Sequence, residues 1–330
     1  MGLVVKDLFK KYGEKVVVDH VSFELPKPGV YALLGSNGAG KSTTIRMTLG
    51  MLERTGGEVS WNDGPLNFDT CNIGYLAEER GLYPKYTLMD QIRYFGELRG
   101  VKGKVLTDRI ASLAERLKVE EYLYPEKAAE IEIAAGVRQP SQRGRAKKQK
   151  PKTADMLSKG NQQKIQFLIA LLSDPDLIVL DEPFSGLDPV NTDILKEVVR
   201  EQIAAGKYII MSSHQMEVVE EFCTDITILH RSKVVVSGNL NEIKKSFGRV
   251  NLILKTEQNV SAEIRAVGAE ILTEKENEYR IRVTGDEQAN QLLRRLIEKN
   301  VPIVKYDLSE LSLHEIFVRE VGDEADETKQ

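Results

Sequence analysis

The sequence predicts an α/β fold followed by a smaller α+β domain, and three segments support this prediction. The apolar run GVYALL (29–34) leads into GSNGAGKST (35–43), after which TTIRMTLGML (43–52) has apolar residues at helical spacing. The aliphatic run LIVL (177–180) is typical of a strand buried on both faces of a parallel sheet. From about residue 241, strand-like and helix-like segments follow the order β-α-β-β-α-β of a ferredoxin-like sandwich.

The glycine-rich segment between the first of these strands and its helix matches the phosphate-binding pattern of a glycine, four residues and Gly-Lys-Ser/Thr. Its glycines allow backbone angles that side chains would block, so backbone N–H groups can surround phosphate oxygens at a helix N-terminus. We expect Lys41 to reach the β and γ phosphates of a nucleotide and Ser42 to ligate Mg²⁺. The residues predicted to contact phosphate are Gly35, Ser36, Asn37, Gly38, Ala39, Gly40, Lys41, Ser42 and Thr43.

Two acidic residues follow the aliphatic run 177–180. Asp181 and Glu182 would lie at the C-terminal end of a buried strand, where open α/β sheets bind their ligands. An aspartate there can hold Mg²⁺ through water, and the next acid can polarise the water that attacks a phosphate. We therefore expect Asp181 to be a metal ligand and Glu182 to be a catalytic residue.

These two motifs, together with GYLAEERGLYP (74–84), LSKGNQQK (157–164) and SSH (212–214), make the chain resemble the ATP-binding subunit of an ATP-binding cassette (ABC) transporter. The resemblance covers about residues 3–240. It implies a P-loop NTPase core with an antiparallel β-subdomain and a helical subdomain, and ATP and Mg²⁺ as ligands. It also implies a dimer that shares two ATP sites.

The segment LSKGNQQK resembles the signature of that family, which is otherwise mainly LSGGQ. In the family this signature opens a helix whose N-terminus caps the γ-phosphate bound by the other subunit. The resemblance therefore implies nucleotide contacts from Ser158, Gly160 and Asn161. Lys159 replaces a glycine and Asn161 replaces the glutamine, but both keep hydrogen-bond donors, so we expect the signature to function.

Four further positions take an expected role from the resemblance. Tyr12 resembles the aromatic residue that stacks on adenine, although an edge-strand tyrosine would fit the same pattern. Glu78 stands where most members have a glutamine that contacts Mg²⁺ and the transmembrane partner, and its alternative is a surface acid. Asp188 ends a loop that couples the two sites across the dimer. His214 resembles the histidine that contacts the γ-phosphate, which makes it a catalytic residue with Lys41 and Glu182.

Composition is that of an ordinary globular chain, with 41% hydrophobic and 29% charged residues among 330. The net charge of −4 argues against a dedicated nucleic-acid-binding protein. Cys71 and Cys223 stand far apart without metal-ligand spacing, as expected of a reduced cytosolic protein. Neither a signal peptide nor an apolar run of about 18 residues occurs, so we expect separate membrane subunits to supply any transport path.

The chain is expected to consist of two domains. We predict an ABC ATP-binding domain over 1–240, an accessory α+β domain over 241–320 and a disordered acidic tail over 321–330. Within the first domain the predicted parts are an antiparallel β-subdomain over 3–32, the P-loop sheet over 33–76 and 160–240, and a helical subdomain over about 77–158. Two amphipathic stripes predict helices in that subdomain: Leu88, Ile92, Phe95 and Leu98, and then Leu106, Ile110, Leu113 and Leu117.

Residues 133–154 contain seven basic residues and no acidic residue, which predicts a flexible, solvated insertion. The bases lie within 138–152. One interpretation is a disordered spacer, and the other is contact with anionic lipid head groups or with an acidic face of a partner.

We therefore expect an ATPase that powers a transporter, and more specifically an exporter, from the cytoplasmic face of the membrane. Its expected partners are a second copy of the chain and transmembrane subunits, without nucleic acid. The main alternative is an ABC ATPase that acts on ribosomes or DNA without a transporter. A non-catalytic module with a decayed site is disfavoured because Lys41, Asp181, Glu182 and His214 are all present.

Overall fold

The computed structural model describes residues 2–79, 81–124 and 151–327, with side chains up to residue 322. The chain forms two compact units. Unit 1 comprises Met1–His214 and Leu229–Val234, and unit 2 comprises Gln215–Ile228 and Val235–Gln330. The chain changes unit three times: after His214, within the strand β9 (Asp225–His230) and within the strand β10 (Lys233–Asn239).

Unit 1 contains an antiparallel sheet of four strands in the order β2-β1-β4-β5. Its strands are β1 (Leu3–Tyr12), β2 (Lys15–Leu25), β4 (Gly56–Trp61) and β5 (Gly64–Pro65). Leu3, Val21 and Phe23 are buried and their strand neighbours are more exposed, as expected of strands that cover a core with one face. The tight β1–β2 hairpin pairs Tyr12 with Lys15 and leaves Tyr12 at its tip.

A parallel sheet in unit 1 brings the predicted catalytic segments together. Its strands β3 (Gly29–Gly35), β6 (Ile73–Leu76), β7 (Leu177–Asp181) and β8 (Tyr208–Ser213) lie in the order β3-β8-β7-β6. All of β7 is buried, which confirms the prediction from its aliphatic run. Because the strands are parallel, their carboxyl ends meet at one edge of the sheet.

The strands divide between the two sheets differently from the sequence prediction. Residues 29–32 were predicted in the antiparallel β-subdomain, but they belong to β3 of the parallel sheet. Residues 56–65 were predicted in the P-loop sheet, but they form β4 and β5 of the antiparallel sheet. Residues of both sheets pack in one hydrophobic core, so apolar alternation alone does not identify the sheet to which a strand belongs.

The helices of unit 1 are α1 (Lys41–Thr48), α2 (Leu88–Leu98), α3 (Gly103–Leu117), α4 (Glu120–Leu123), α5 (Lys159–Leu171) and α6 (Pro189–Ala204). Thr87 caps α2 by accepting a hydrogen bond from the backbone N–H of Asp90 (3.2 Å). Leu98 was predicted on the core face of α2, but it is 68% exposed. The buried face instead follows Leu88, Ile92 and Gly96 at four-residue spacing, which turns Leu98 outward.

Unit 2 confirms the predicted β-α-β-β-α-β order. After α7 (Met216–Phe222) and α8 (Leu240–Phe247), it contains β11 (Arg249–Thr256), α9 (Ser261–Ala266), β12 (Glu270–Lys275), β13 (Glu278–Arg282), α10 (Asp286–Glu298) and β14 (Ile303–Glu310). The sheet order β12-β13-β11-β14 is antiparallel throughout, as in a ferredoxin-like sandwich. Leu252, Tyr279 and Leu292 are among the buried residues of its separate core.

Two segments that were predicted to be flexible or disordered, the insertion 133–154 and the tail 321–330, contain ordered residues. Most of the basic insertion 133–154 lies outside the described residues, but its last residues are ordered: Thr153 bridges Thr87, and the backbone N–H of Leu88 donates to Lys152 O (2.9 Å). The final helix, α11 (Leu313–Glu327), extends into the tail predicted as disordered from residue 321. Glu and Ala are good helix formers, so an acidic composition does not itself end a helix. Residues 328–330 lie outside the described part of the chain.

Across residues 2–79, 81–124 and 151–327, no helix combines the length and the apolar composition needed to cross a bilayer.

Candidate active site

The glycine-rich loop between β3 and α1 has a backbone that only glycine can supply at two positions. The φ angles of Gly35 and Gly40 are 148° and 107°. A Cβ atom on Gly35 would lie 2.3 Å from Leu229 O, and one on Gly40 would lie 2.7 Å from Val17 O. Ser36, Asn37 and Gly38 are exposed at the tip of the loop, whereas Ala39 is buried and Thr43 is half-buried. The loop is therefore a tight backbone turn that opens outward at 36–38.

Lys41 lies beneath this loop and is only 5% exposed. Its Nζ donates to Gly35 O (2.8 Å) and to Ser36 O (3.3 Å). The same Nζ forms an ion pair with Glu182 Oε1 at 3.1 Å. The three donors of the ammonium thus face three oxygen atoms, which is the environment that phosphate oxygens would also offer.

Asp181 is the fully buried end of β7, and one of its oxygens is already bonded. Asp181 Oδ1 accepts from Ser42 Oγ (3.1 Å) and from Ser212 Oγ (2.5 Å). Asp181 Oδ2 is buried without a hydrogen-bond partner among the described residues. Burial raises the pKa of Asp181 above its usual range, and the two serine hydrogen bonds oppose that shift.

The donor set of Ser42 and Asp181 fits a small hard cation. Mg²⁺ prefers oxygen ligands and binds through one or two carboxylates together with substrate phosphates. The orphaned Asp181 Oδ2 and the Ser42 hydroxyl would be such ligands. Glu78 follows β6 and is exposed, and no described hydrogen bond or ion pair joins it to Asp181.

Glu182 is held in a strained and well-connected position. Its φ angle of 51° is rare for a residue with a side chain. Glu182 Oε2 lies 2.8 Å from His214 Nδ1 and also accepts from the His214 backbone N–H (3.3 Å). The Glu182 side chain is 4% exposed and the His214 side chain 41% exposed, so the histidine lies at the opening of the cluster.

Ser212 is a member of this cluster whose role sequence reasoning missed. Its hydroxyl donates to Asp181 and accepts from the backbone N–H of Glu182 (3.0 Å). One serine thus holds the Asp181 carboxylate and the backbone of Glu182. The segment SSH predicts a role for His214 through the family resemblance. A serine at the end of a strand is too common to predict a role for Ser212.

The signature segment opens α5, as the resemblance implies. Ser158 is the N-cap and accepts from the backbone N–H of Asn161 (3.3 Å). The Asn161 side chain donates to the hydroxyl of Tyr122 in α4 (2.8 Å), a contact that the sequence did not indicate. Ser158 and Lys159 are exposed and Gly160 is buried. On the inner side of α5, Gln163 Nε2 donates to Pro183 O (3.3 Å) and so connects the signature helix to the segment after Glu182.

Tyr12 and Asp188 lie apart from the buried cluster. Tyr12 is 53% exposed, with the ammonium of Lys10 at 4.8 Å from its ring centroid. Asp188 is exposed and caps α6 by accepting from the backbone N–H of Asn191 (3.0 Å). Those hydrogen bonds from Asn191 lower the pKa of Asp188. The structure therefore joins Lys41, Ser42, Asp181, Glu182 and His214 into one network, while Tyr12, Glu78, Ser158 and Asp188 lie exposed on the surface of unit 1.

A groove of about 970 Å³ opens in unit 1 next to the segment that carries Glu78. Its lining is mainly apolar and includes Leu82, Phe95 and Leu98. Aromatic residues around it are unusually exposed: Phe68 by 59% and Tyr83 by 53%. Apolar patches of this kind mark binding surfaces.

Family models match both the N-terminal and the C-terminal part of the chain. The family model described as ABC transporter matches residues 18–185. A model described as ATP-binding protein DrrA1-3-like, C-terminal domain, matches residues 238–321.

Similar proteins include the uncharacterized ABC transporter ATP-binding protein YhaQ of Bacillus subtilis, which is 37% identical over 97% of this chain and 98% of its own length. The Nod factor export ATP-binding protein I of Ralstonia nicotianae is 29% identical over 73% of this chain and 68% of its own length. A solved ATP binding subunit of an ABC transporter has a TM-score of 0.61 at 30% identity and covers 75% of this chain and 93% of its own.

Proposed function

The chain belongs to the ABC transporter family of ATP-binding proteins and is an ATPase, and from this premise we propose that it powers an exporter through ATP-driven closure of a dimer on transmembrane subunits. The observation that carries the proposal is the network of buried Lys41, Asp181 and Glu182 with the more exposed His214 at the ends of the parallel strands. Such a network places a cation, a metal ligand and a base around one point beneath a phosphate-binding loop.

Lys41 is the residue that meets the β and γ phosphates in this proposal. Its partners in the structure are oxygen atoms of the loop and of Glu182. Phosphate oxygens would take the place of these partners and leave the Glu182 carboxylate to act on water. Bound Mg²⁺ would neutralise phosphate charge, with Ser42 and Asp181 as its protein ligands and Glu78 next to them.

Glu182 is the proposed base for the attacking water. Its carboxylate receives the proton while His214 fixes the orientation of that carboxylate and Ser212 holds the backbone of Glu182. The greater exposure of His214 puts its ring between Glu182 and the solvent, where it would contact the γ-phosphate. Tyr12, whose ring is exposed at the hairpin tip, is the proposed stacking surface for adenine.

The proposed dimer gives a role to the predicted site residues that lie outside the buried cluster. Ser158 and Asp188 are exposed, and no described hydrogen bond joins either of them to Lys41 or Glu182. A second copy of the chain would bring Ser158, Gly160 and Asn161 to the γ-phosphate and Asp188 to the facing loop. Two chains would thus enclose two nucleotides.

The groove next to Glu78 is the proposed contact with the transmembrane subunits. Its exposed aromatic residues offer an apolar surface for a helix at the cytoplasmic side of the membrane. The similarity to the Nod factor export protein favours export as the direction. We further propose the domain division 1–240 and 241–320, and contact of the bases in 138–152 with anionic lipid.

The proposal is tested with the purified chain and by co-expression with any membrane protein encoded beside its gene. We expect Mg²⁺-dependent ATP hydrolysis that is lost in Lys41→Ala, co-purification of the two proteins, and loss of that complex in Phe95→Asp with ATP hydrolysis retained. Co-purification with ribosomes or DNA in place of a membrane protein would contradict the transport function. The lipid contact is tested by sedimentation with anionic vesicles, in which deletion of 138–152 should abolish a salt-sensitive association.

A further inference from the structure

The Asn191 side chain lies between the signature and the loop that ends at Asp188. Its Nδ2 donates to Asp188 Oδ2 (2.5 Å), and its backbone N–H donates to Asp188 Oδ1 (3.0 Å). A Cβ atom on Gly160 would lie 2.9 Å from the same Nδ2 and 3.2 Å from Asn191 Cγ. One amide group therefore contacts the carboxylate on one side and the bare backbone of the signature on the other.

We infer that Asn191 is a positioning residue that fixes the signature backbone relative to the 185–188 loop. This inference rests on the proposed function, because both segments are there assigned to the nucleotide of the other chain. The Asn191 side chain cannot turn away from Gly160 without losing the hydrogen bond from its Nδ2 to Asp188, which is itself fixed as the N-cap of α6. The 158–161 and 185–188 segments therefore approach the partner chain as one surface, and not as two independent loops.

Gly160 acquires a second role in this arrangement. Glycine at this position leaves the backbone open toward a phosphate, and it also leaves the space that Asn191 occupies. A methyl group there would push against an amide that Asp188 holds in place. The two positions should therefore be energetically coupled in the folded chain.

A double-mutant cycle tests the coupling. We expect Gly160→Ala to lower kcat by about 10-fold or more, and Asn191→Ala by about five-fold, with KM for ATP nearly unchanged because Lys41 and its loop are untouched. The double variant should lose no more activity than Asn191→Ala alone, about five-fold, because the smaller side chain at 191 removes the collision, whereas independent losses would multiply to about 50-fold. Asp193→Asn, an exposed position on the same helix, is the matched control and should behave as wild type. Multiplicative losses in the double variant would overturn the inference.

Hydrogen exchange gives a readout that is independent of turnover. The backbone N–H groups of Asn161 and Gln162 donate to Ser158 Oγ (3.3 Å) and Ser158 O (3.0 Å). In the nucleotide-free protein, Asn191→Ala should speed their exchange by about five-fold, because the first turn of α5 loses its lateral support. Unchanged exchange would overturn the inference. A wild-type chain without ATPase activity would instead overturn the proposed function, and the exchange result would still decide the role of Asn191.

Discussion

The phosphate loop and the signature segment, both in unit 1, differ in how exposed their polar side chains are and in how those side chains are bonded. Around the loop, Lys41, Asp181 and Glu182 are each at most 5% exposed. Lys41 bonds to the loop and to Glu182, and the two acids bond to Ser42, Ser212 and His214. At the start of α5, Ser158 and Lys159 face outward, and only Gly160 is buried. The first region gathers the predicted catalytic groups inside one chain, whereas the exposed residues of the second are accessible from outside the chain.

In the proposed dimer, this difference would explain why one chain alone is insufficient for turnover. Buried charges are costly unless they are paired, so the loop cluster must be assembled within one fold before ligand binds. Exposed helix N-terminal donors are inexpensive to leave in water and become useful when an anion reaches them. Variants in the two regions should therefore have different effects. A variant in the loop cluster should impair the nucleotide site of its own chain, whereas a variant in the signature should impair the site of the other chain in the dimer.

The largest effect is expected inside the cluster. Glu182→Gln keeps the shape of the side chain but removes the base, so turnover should fall by about 10²–10⁴-fold. ATP binding should survive, because the amide no longer competes as a charge for Lys41. Steady-state phosphate release measures the first effect, and size-exclusion chromatography with ATP and Mg²⁺ should detect a trapped dimer. A protein that stays monomeric, or that turns over normally, would contradict the assigned role.

Ser212→Ala should produce the next largest loss. It removes one hydrogen bond to Asp181 and one from the backbone N–H of Glu182, each of which contributes about 1 kcal/mol. We expect turnover to fall by about 10-fold and the thermal midpoint to drop by several degrees. Kinetics and thermal unfolding of the same preparation check both. If stability alone changes, Ser212 supports the fold and not the orientation of the acids.

Tyr122→Phe sharpens the comparison from the signature side. The variant keeps the ring and removes the hydroxyl that accepts from Asn161. We expect a loss of about three- to five-fold in kcat, with unchanged affinity of the monomer for nucleotide. Fluorescent nucleotide titration provides the control. Weaker nucleotide binding by the monomer would mean that Asn161 and the start of α5 contribute to the nucleotide site of their own chain, which would contradict the comparison.

Glu78→Gln should have the smallest effect. Glu78 is exposed, and glutamine is the usual residue at this position in the family that the sequence resembles. Either side chain offers an oxygen toward Mg²⁺, so turnover should stay within about three-fold of wild type. A loss above about 100-fold, or about 2.7 kcal/mol of barrier, would mean that the carboxylate itself is required.

Sequence alone was strong where chemistry depends on neighbours along the chain. The loop at 35–43, the strand that ends at Asp181 and the helix opened by the signature segment 157–164 each follow from a local pattern, and the structure contains all three elements. The sequence did not predict a contact when the two residues belong to different strands or helices. Ser212, Tyr122 and Asn191 are ordinary polar residues whose contacts arise only when the strands and helices pack.

The division of strands between the two sheets shows the same limit. Apolar alternation predicts that a strand covers a core, but it does not say which strand lies beside it. The outward position of Leu98 has a related cause, because Gly96 lets Leu106 approach α2 and so sets its buried face. The roles of the site residues in nucleotide binding and the shared site remain predictions.

Mixed-dimer complementation tests the shared site most directly. Lys41→Ala disables the phosphate loop of one chain, and Ser158→Arg disables the signature of another, so each variant alone should be inactive. Random pairing makes half of the dimers mixed, and each mixed dimer has one complete site, formed by the intact loop of one chain and the intact signature of the other. The account predicts recovery of up to about a quarter of wild-type turnover in the equimolar mixture. Activity in Ser158→Arg alone, or no recovery on mixing two folded variants, would contradict it.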